Sequence, residues 1–219
     1  MSSDRPRNTN NWYDTVDPLA VVDRSLVEFV HKNAGHKILD LGCGVGGYSH
    51  HLNELGHSCR ALDINPSYVQ TARMLGVDAT VYDGKIIPLD DKSVDTVIAI
   101  EVLEHVIDPT SIVKEIARVA KISLIASVPN CTGTFGDAPV VFNHMLDTDH
   151  KSFFTIESFK ELLSKEFPHV DVQQIFPVDR MIAEAILPRY LFSIYEKLLK
   201  WKFVQQRRYF RLVGIASLG

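Results

Sequence analysis

Five short runs rich in β-branched and aliphatic residues, spaced by segments with helix start and stop signals, constrain this chain more than any other feature. "KILDLG" (37–42), "CRALDI" (59–64), "ATVYD" (79–83), "DTVIAI" (95–100) and "ISLIASV" (122–128) are too short for helices and read as buried strands. Between them, Asp17-Pro18, Asn65-Pro66 and Asp108-Pro109 each place a capping side chain before a proline at the first helical position. Gly35, Gly56 and Gly76 fall where helices should stop. Parallel neighbours need crossover connections, so the alternation predicts an α/β, doubly wound parallel sheet with helices on both faces.

The last third changes rhythm. "TIESFKELLSKEF" (155–167) is predicted as a capped amphipathic helix, "VDVQQIF" (170–176) as a strand and "RYFRLVGIAS" (208–217) as a final strand. A short connection cannot make a parallel crossover, so the last two strands are expected to pair antiparallel, with about 179–206 as a helical lid insertion. The expected organisation is a flexible tail over 1–16 and one domain over 17–219, and 219 residues suffice for one full core.

A hydrophobic share of 46% with 23% charged residues is that of a compact soluble protein. Three widely spaced cysteines without a CxxC pair suggest neither a disulfide framework nor a thiolate zinc site. No run of eighteen apolar residues occurs, and the polar N-terminal stretch lacks an apolar signal core. A cytoplasmic setting is the expectation. Net charge is −4, yet residues 189–211 hold seven Lys or Arg against Glu196 alone, which makes this stretch +6 and the remainder −10. Such asymmetry predicts an anionic partner at the C-terminal stretch.

"ILDLGCGVGGY" (38–48) is a strand that ends in a glycine turn opening a helix. Gly42, Gly44 and Gly47 satisfy G-x-G-x-x-G, but Asp40 at the strand end would repel a pyrophosphate. That acid instead suits a cationic ligand, with the helix N-terminus offering N–H groups to a carboxylate. Asp63, ending the second run, is placed to accept from two ribose hydroxyls, and Asp83, ending the third, from an adenine amino group.

In order and spacing, "ILDLGCGVGG", "ALDIN", "VYDG", "DTVIAIEVLEHV" and "SVPN" resemble the motifs of class I S-adenosylmethionine-dependent methyltransferases, over roughly residues 20–165. The resemblance implies a Rossmann-like, seven-stranded sheet with its last strand antiparallel. It also implies a cofactor, S-adenosylmethionine, lying across the strand ends. Asp40 with the loop of Gly42, Cys43, Gly44 and Gly46 would cradle its methionine part. Asp63 and Ile64 would meet the ribose, Asp83 and Gly84 the adenine, and Glu101 would flank the loop.

"EVLEHV" (101–106) follows the fourth run. If the backbone turns helical at Glu101, then Glu101, Glu104 and His105 share one face. Three readings of such a face stay open: a solvated turn, an acid/base set and a metal site. His105 is the candidate general base. A second cluster, "FNHMLDTDHKSFFT" (142–155), holds His144, Asp147, Asp149 and His150 in what should be a pocket-rim loop, with His150 as the candidate partner. Glu101, Glu104, His105 and His150 together make an oxygen and nitrogen set suited to Mg²⁺, Mn²⁺ or Zn²⁺. "ExxEH" followed by "DHKSFFT" is similar to small-RNA 3′-terminal ribose methyltransferases, in which those side chains hold a metal, and quinone-precursor O-methyltransferases share "ExxEH". The sequence around "PNCTG" and beyond departs from the RNA family.

In "LPRYLFSIYEKLLKWKFVQQRRYFRL" (187–212), Leu187, Leu191, Ile194, Leu198 and Trp201 fall near one helical stripe flanked by Lys197, Lys200 and Lys202. That pattern fits a helix packed on its own domain, a surface for anionic or lipid-linked substrates, or, more weakly, one for nucleic acid. Trp12 and Tyr13 are candidates for a second lid. The function expected is O-methylation of a small or lipid- or sugar-linked metabolite. A metal-dependent RNA 3′-terminal ribose methyltransferase and a non-catalytic cofactor-binding partner subunit are the alternatives.

Overall fold

A computed structural model of the chain describes residues 17–20, 22–131, 134–135, 138–139, 149–177, 187–201 and 209–219. All five expected parallel strands form: β1 (Lys37–Leu41), β2 (Ser58–Asp63), β3 (Asp78–Val81), β4 (Val94–Ile100) and β5 (Ala120–Pro129). They are followed by β6 (His169–Pro177) and β7 (Tyr209–Ser217). The seven strands make one sheet of order β3-β2-β1-β4-β5-β7-β6, in which β7 runs antiparallel to both neighbours. The winding direction reverses between β1 and β4, which pair in parallel from Ile38 opposite Thr96 to Asp40 opposite Ile98. A two-residue ladder, Thr134–Phe135 with Ala138–Pro139, lies outside the main sheet.

Helices α1 (Arg24–Asn33), α2 (Gly47–Glu54), α3 (Pro66–Met74), α4 (Pro109–Val119) and α5 (Ile156–Ser164) cover the sheet, and α6 (Arg189–Lys200) lies between β6 and β7. Asn65 and Asp108 cap α3 and α4 with a proline at the first helical position, as their sequences predict. Asp17-Pro18 does not start a helix. Its carboxylate holds a local turn through the Leu19 N–H, and Asp23 caps α1 instead by accepting from Ser25 and Leu26. Gly56 and Gly76 take the left-handed conformation past α2 and α3. Gly35 has another role: a Cβ there would stand 2.5 Å from that of Asp95.

Alternation along the strands sorts the core into two layers. Leu39, Leu41, Val97, Ala99, Leu124, Ala126 and Val128 pack with Ile112, Val113 and Ile116 of α4 and Phe159, Leu162 and Leu163 of α5. Ile38, Ile98 and Ile125, one residue out of phase, meet Leu26, Val27 and Val30 of α1 and Leu52 of α2 on the other face. Phe159 is fully buried and lies 5.7 Å, ring to ring, from Phe154, so it anchors both α5 and the segment before it. Phe159→Ala is expected to lower unfolding stability by about 3–5 kcal/mol, through lost burial plus a residual cavity, as read by chemical denaturation.

Candidate active site

The carboxyl ends of β1, β2 and β4 converge where the winding reverses, which is where such sheets present ligands. After β1 the chain turns sharply because Gly42, Gly44 and Gly46 all adopt positive φ, a region that side chains with a Cβ rarely occupy. The Leu62 carbonyl accepts from the Gly42 and Cys43 N–H groups, and the Asp63 carboxylate from those of Gly44 (2.8 Å) and Asn65 (2.8 Å). Asp63 thus fastens the glycine loop to the turn that begins α3.

Asp40 is buried at the end of β1 and accepts from the Ser49 hydroxyl at 2.7 Å. Burial pushes its carboxyl up to about 7, against the downward pull of that hydrogen bond and with a further push from Asp63. Burial and the same two acids raise the Cys43 thiol, which removes it as a nucleophile. Farther out, Asp83 is exposed and accepts from the Lys85 and Ile86 N–H groups, the first of which does most to hold its carboxyl below the usual range. Gly84 leaves room beside it for Ile64, whose side chain is 64% exposed.

Glu101 does not begin a helix. Its φ is +55°, and only Leu103–His105 form a short 3₁₀ turn. The expected shared face therefore does not form as drawn, and Glu101 points elsewhere. It accepts from the Ser127 hydroxyl at 2.8 Å and pairs with Arg211 at 3.0 Å, while Arg211 also reaches Asp23 at 3.6 Å. Val102, the next residue, seats against Gly42, where a Cβ would come within 2.6 Å of its methyl group. "EVLEHV" therefore abuts the glycine loop.

Glu104, His105 and His150 do come together, each offering a ligand atom within 4.8 Å of the others. The Glu104 side chain is buried, and its carbonyl accepts from the Lys151 and Ser152 N–H groups. Those two bonds dock the segment from 149 onward beside the 3₁₀ turn. The His105 and His150 rings then stand edge to face at 4.8 Å, with His105 Nδ1 3.4 Å from the Asp149 carbonyl. A second clamp lies nearby, where the Cys131 N–H donates to the Phe154 carbonyl. His144 and Asp147 lie outside the described residues, as do Trp12 and Tyr13.

Residues 39–123 match the family described as a methyltransferase domain. A ubiquinone biosynthesis O-methyltransferase of Xanthomonas oryzae pv. oryzae is 34% identical over 125 residues, 51% of this chain and 52% of that protein. The chain spans about half the length of the curated relatives it matches. Among solved structures, an S-adenosylmethionine-dependent methyltransferase from Archaeoglobus fulgidus superposes with a TM-score of 0.65 at 15% identity, covering 95% of this chain and 100% of that one. Phosphoethanolamine N-methyltransferase 2 of Haemonchus contortus, solved with S-adenosyl-L-methionine, superposes with a TM-score of 0.63 at 17% identity, covering 90% and 53%. At such identities these two likenesses are of fold. Over residues 39–123 the chain is similar to methyltransferase domains, and its fold is the one that S-adenosylmethionine-dependent methyltransferases share.

Sequence reasoning missed three side chains that hold the site: Ser49, Ser127 and Arg211. The serines sit inside a helix and a strand without any local pattern to mark them. Arg211 was counted only as part of a basic stretch, because its approach to Glu101 depends on how β7 registers against β5.

A raised carboxyl pKa favours the neutral acid in the folded state. Asp40 therefore contributes stability that is present below its ordinary value of 3.8 and lost as pH rises through about 7. Asp40→Asn should unfold at a higher temperature than wild type above pH 7, with the gap shrinking as pH falls toward about 4. Thermal unfolding of the cofactor-free protein across pH measures this, and a pH-independent gap would contradict it.

Proposed function

We propose that this protein methylates an oxygen of a small, or lipid- or sugar-linked, acceptor, with His105 as general base. The observation that carries the reading is the cluster of Glu104, His105 and His150, two of them on the short turn that follows Val102, which seats against Gly42 of the glycine loop. S-adenosylmethionine supplies a methyl group already activated by its positive sulfur. The remaining tasks for the chain are to hold cofactor and acceptor in line and to accept one proton. In this reading Asp40 and the loop from Gly42 to Gly46 bind the methionine end, with the N-terminal amides of α2 available to its carboxylate. Asp63 and Ile64 meet the ribose, and Asp83 with Gly84 meets the adenine.

A bound cofactor would supply the methyl group to the acceptor oxygen, its carbon–sulfur bond breaking with the electron pair left on sulfur. The hydroxyl proton passes to His105. A His105 tautomer that donates from Nδ1 to the Asp149 carbonyl leaves Nε2 as the basic nitrogen. The O-methyltransferase name of the Xanthomonas relative supports oxygen as the acceptor atom.

His105→Ala should lower kcat by about 10²–10⁴-fold while cofactor affinity stays within about threefold of wild type. Single-turnover kinetics and calorimetric cofactor titration read the two effects separately, and an unchanged kcat would reject the base assignment. Because ionised Asp40 attracts the cofactor's ammonium group, affinity should also weaken as pH falls through about 7.

A second reading rests on the same cluster. One buried carboxylate and two imidazoles within 4.8 Å of one another form a donor set that fits Mn²⁺, Mg²⁺ or Zn²⁺. Glu104, His105 and His150 would hold the metal, and a metal there would bind acceptor oxygens and favour their ionised form. Glu101, engaged with Ser127 and Arg211, stands outside that set. This reading expects a chelator to abolish turnover and Mn²⁺ to restore it, with Mn²⁺ binding detected directly by paramagnetic resonance and lost in His150→Ala. Turnover indifferent to chelation would reject it.

A further inference from the structure

Helix α6 leaves an apolar face in solvent. Among its residues none is fully buried, and Tyr190, Leu191, Ile194 and the following Trp201 are 68%, 38%, 51% and 65% exposed. At 3.6 residues per turn, Tyr190, Trp201, Ile194, Leu198 and Leu191 share about a third of the circumference. Half-buried Phe192, Tyr195 and Leu199 continue the apolar arc on the other side. Lys197 borders the exposed face, and Arg189 and Lys200 follow it around the helix, with Glu196 as the one acid.

Lone exposed hydrophobics are ordinary, but four on one arc, joined by half-buried Leu198, are not. Its composition is that of a helix lying in a membrane interface: aliphatic groups in the middle, aromatic rings with polar tips at the two ends, and lysines beside them. Tyr190 and Trp201 stand about 16 Å apart along the axis, so both can settle at one headgroup level. With Arg211 engaged by Glu101 and Asp23, the stretch 189–208 still carries +5 in a chain of net charge −4, which complements an anionic surface. Nucleic acid would suit the cations but not the arc.

The placement adds a reason. β6 ends at Pro177 opposite the first residue of β7, Tyr209, so the segment carrying α6 leaves and re-enters the sheet at one edge. Because β7 runs antiparallel to β5, that edge holds the carboxyl ends of β1 to β5 and hence the candidate site.

The geometry points to α6 as a docking helix that lays Tyr190, Leu191, Ile194, Leu198 and Trp201 into an anionic lipid surface. This goes beyond the methyl-transfer reading and does not depend on it. Docking there turns the site edge of the sheet toward the bilayer, where acceptors held on lipid are found.

Co-sedimentation of the full chain with vesicles tests the inference. Wild type should bind phosphatidylcholine vesicles containing about 30% phosphatidylglycerol at least tenfold more tightly than phosphatidylcholine alone, and lose most binding in about 0.5 M salt. The double variant Leu191→Asp, Ile194→Asp should lose binding by at least about tenfold while its thermal midpoint and cofactor affinity stay near wild type. Should that variant fold poorly, the emission of Trp201 in a Trp12→Phe background reads the same contact, with a blue shift on adding the mixed vesicles. Absence of vesicle binding, or full binding by a folded double variant, would overturn the proposal. So would a dimer that the double variant dissociates, because a second copy would then cover the face. RNA binding that responds to Lys197→Glu, Lys200→Glu but not to the apolar changes would overturn it as well.

Discussion

The carboxylate of Asp63 is the tie on which the site geometry depends. By taking N–H groups from Gly44 and Asn65 it joins the glycine loop to the start of α3, while the Leu62 carbonyl takes those of Gly42 and Cys43. Four backbone donors are thereby satisfied, two by the β2 residue Leu62 and two by the Asp63 side chain. With the loop held in this shape, Gly42 can admit Val102, and the end of β4 is drawn against the end of β1. Asp40 is enclosed at the end of β1 beside this loop, with Ser49 as its hydrogen-bond donor, and burial is the main cause of its raised pKa.

A second constraint acts at Glu101. A non-glycine residue at φ +55° is strained, and such strain persists only where surrounding contacts over-determine it. Here the Glu101 N–H donates to the Ser127 carbonyl, the Ser127 hydroxyl donates back to the Glu101 side chain, and Arg211 closes the arrangement from β7. Left-handed backbone at Glu101 sends the next residues into a short 3₁₀ turn rather than a full helix. As a result Glu104 and His105 face the segment at 149–152, and Glu101 faces Arg211. The strained residue therefore separates two groups of charges that the linear spacing had suggested were one.

Segments far apart in the chain meet at this edge through backbone hydrogen bonds. The Glu104 carbonyl receives two N–H groups from 151 and 152, and Phe154 bonds to Cys131 beyond β5. Phe154 then packs on Phe159 of α5, so the rim that carries His150 is anchored in the main core. Helix α6, by contrast, keeps Tyr190, Leu191, Ile194 and the following Trp201 exposed.

The strands, the caps at Asn65, Asp108 and Thr155 and the glycine loop were legible in the sequence, because each rests on local periodicity or on residues a few positions apart, whereas the antiparallel last strand was implied by the family resemblance. Asp17-Pro18 misled because Asp23, six residues on, offers a competing cap directly before the apolar face of α1. The sequence by itself determined which residue types gather at the strand ends, since the order of strands and turns places Asp40, Asp63, Asp83 and the "EVLEHV" segment there. Only the tertiary structure decided how they group. His150 joins Glu104 and His105, and Arg211 takes Glu101, through one positive φ and the register of β7 against β5. Those are long-range choices, which side-chain spacing along a single chain does not encode.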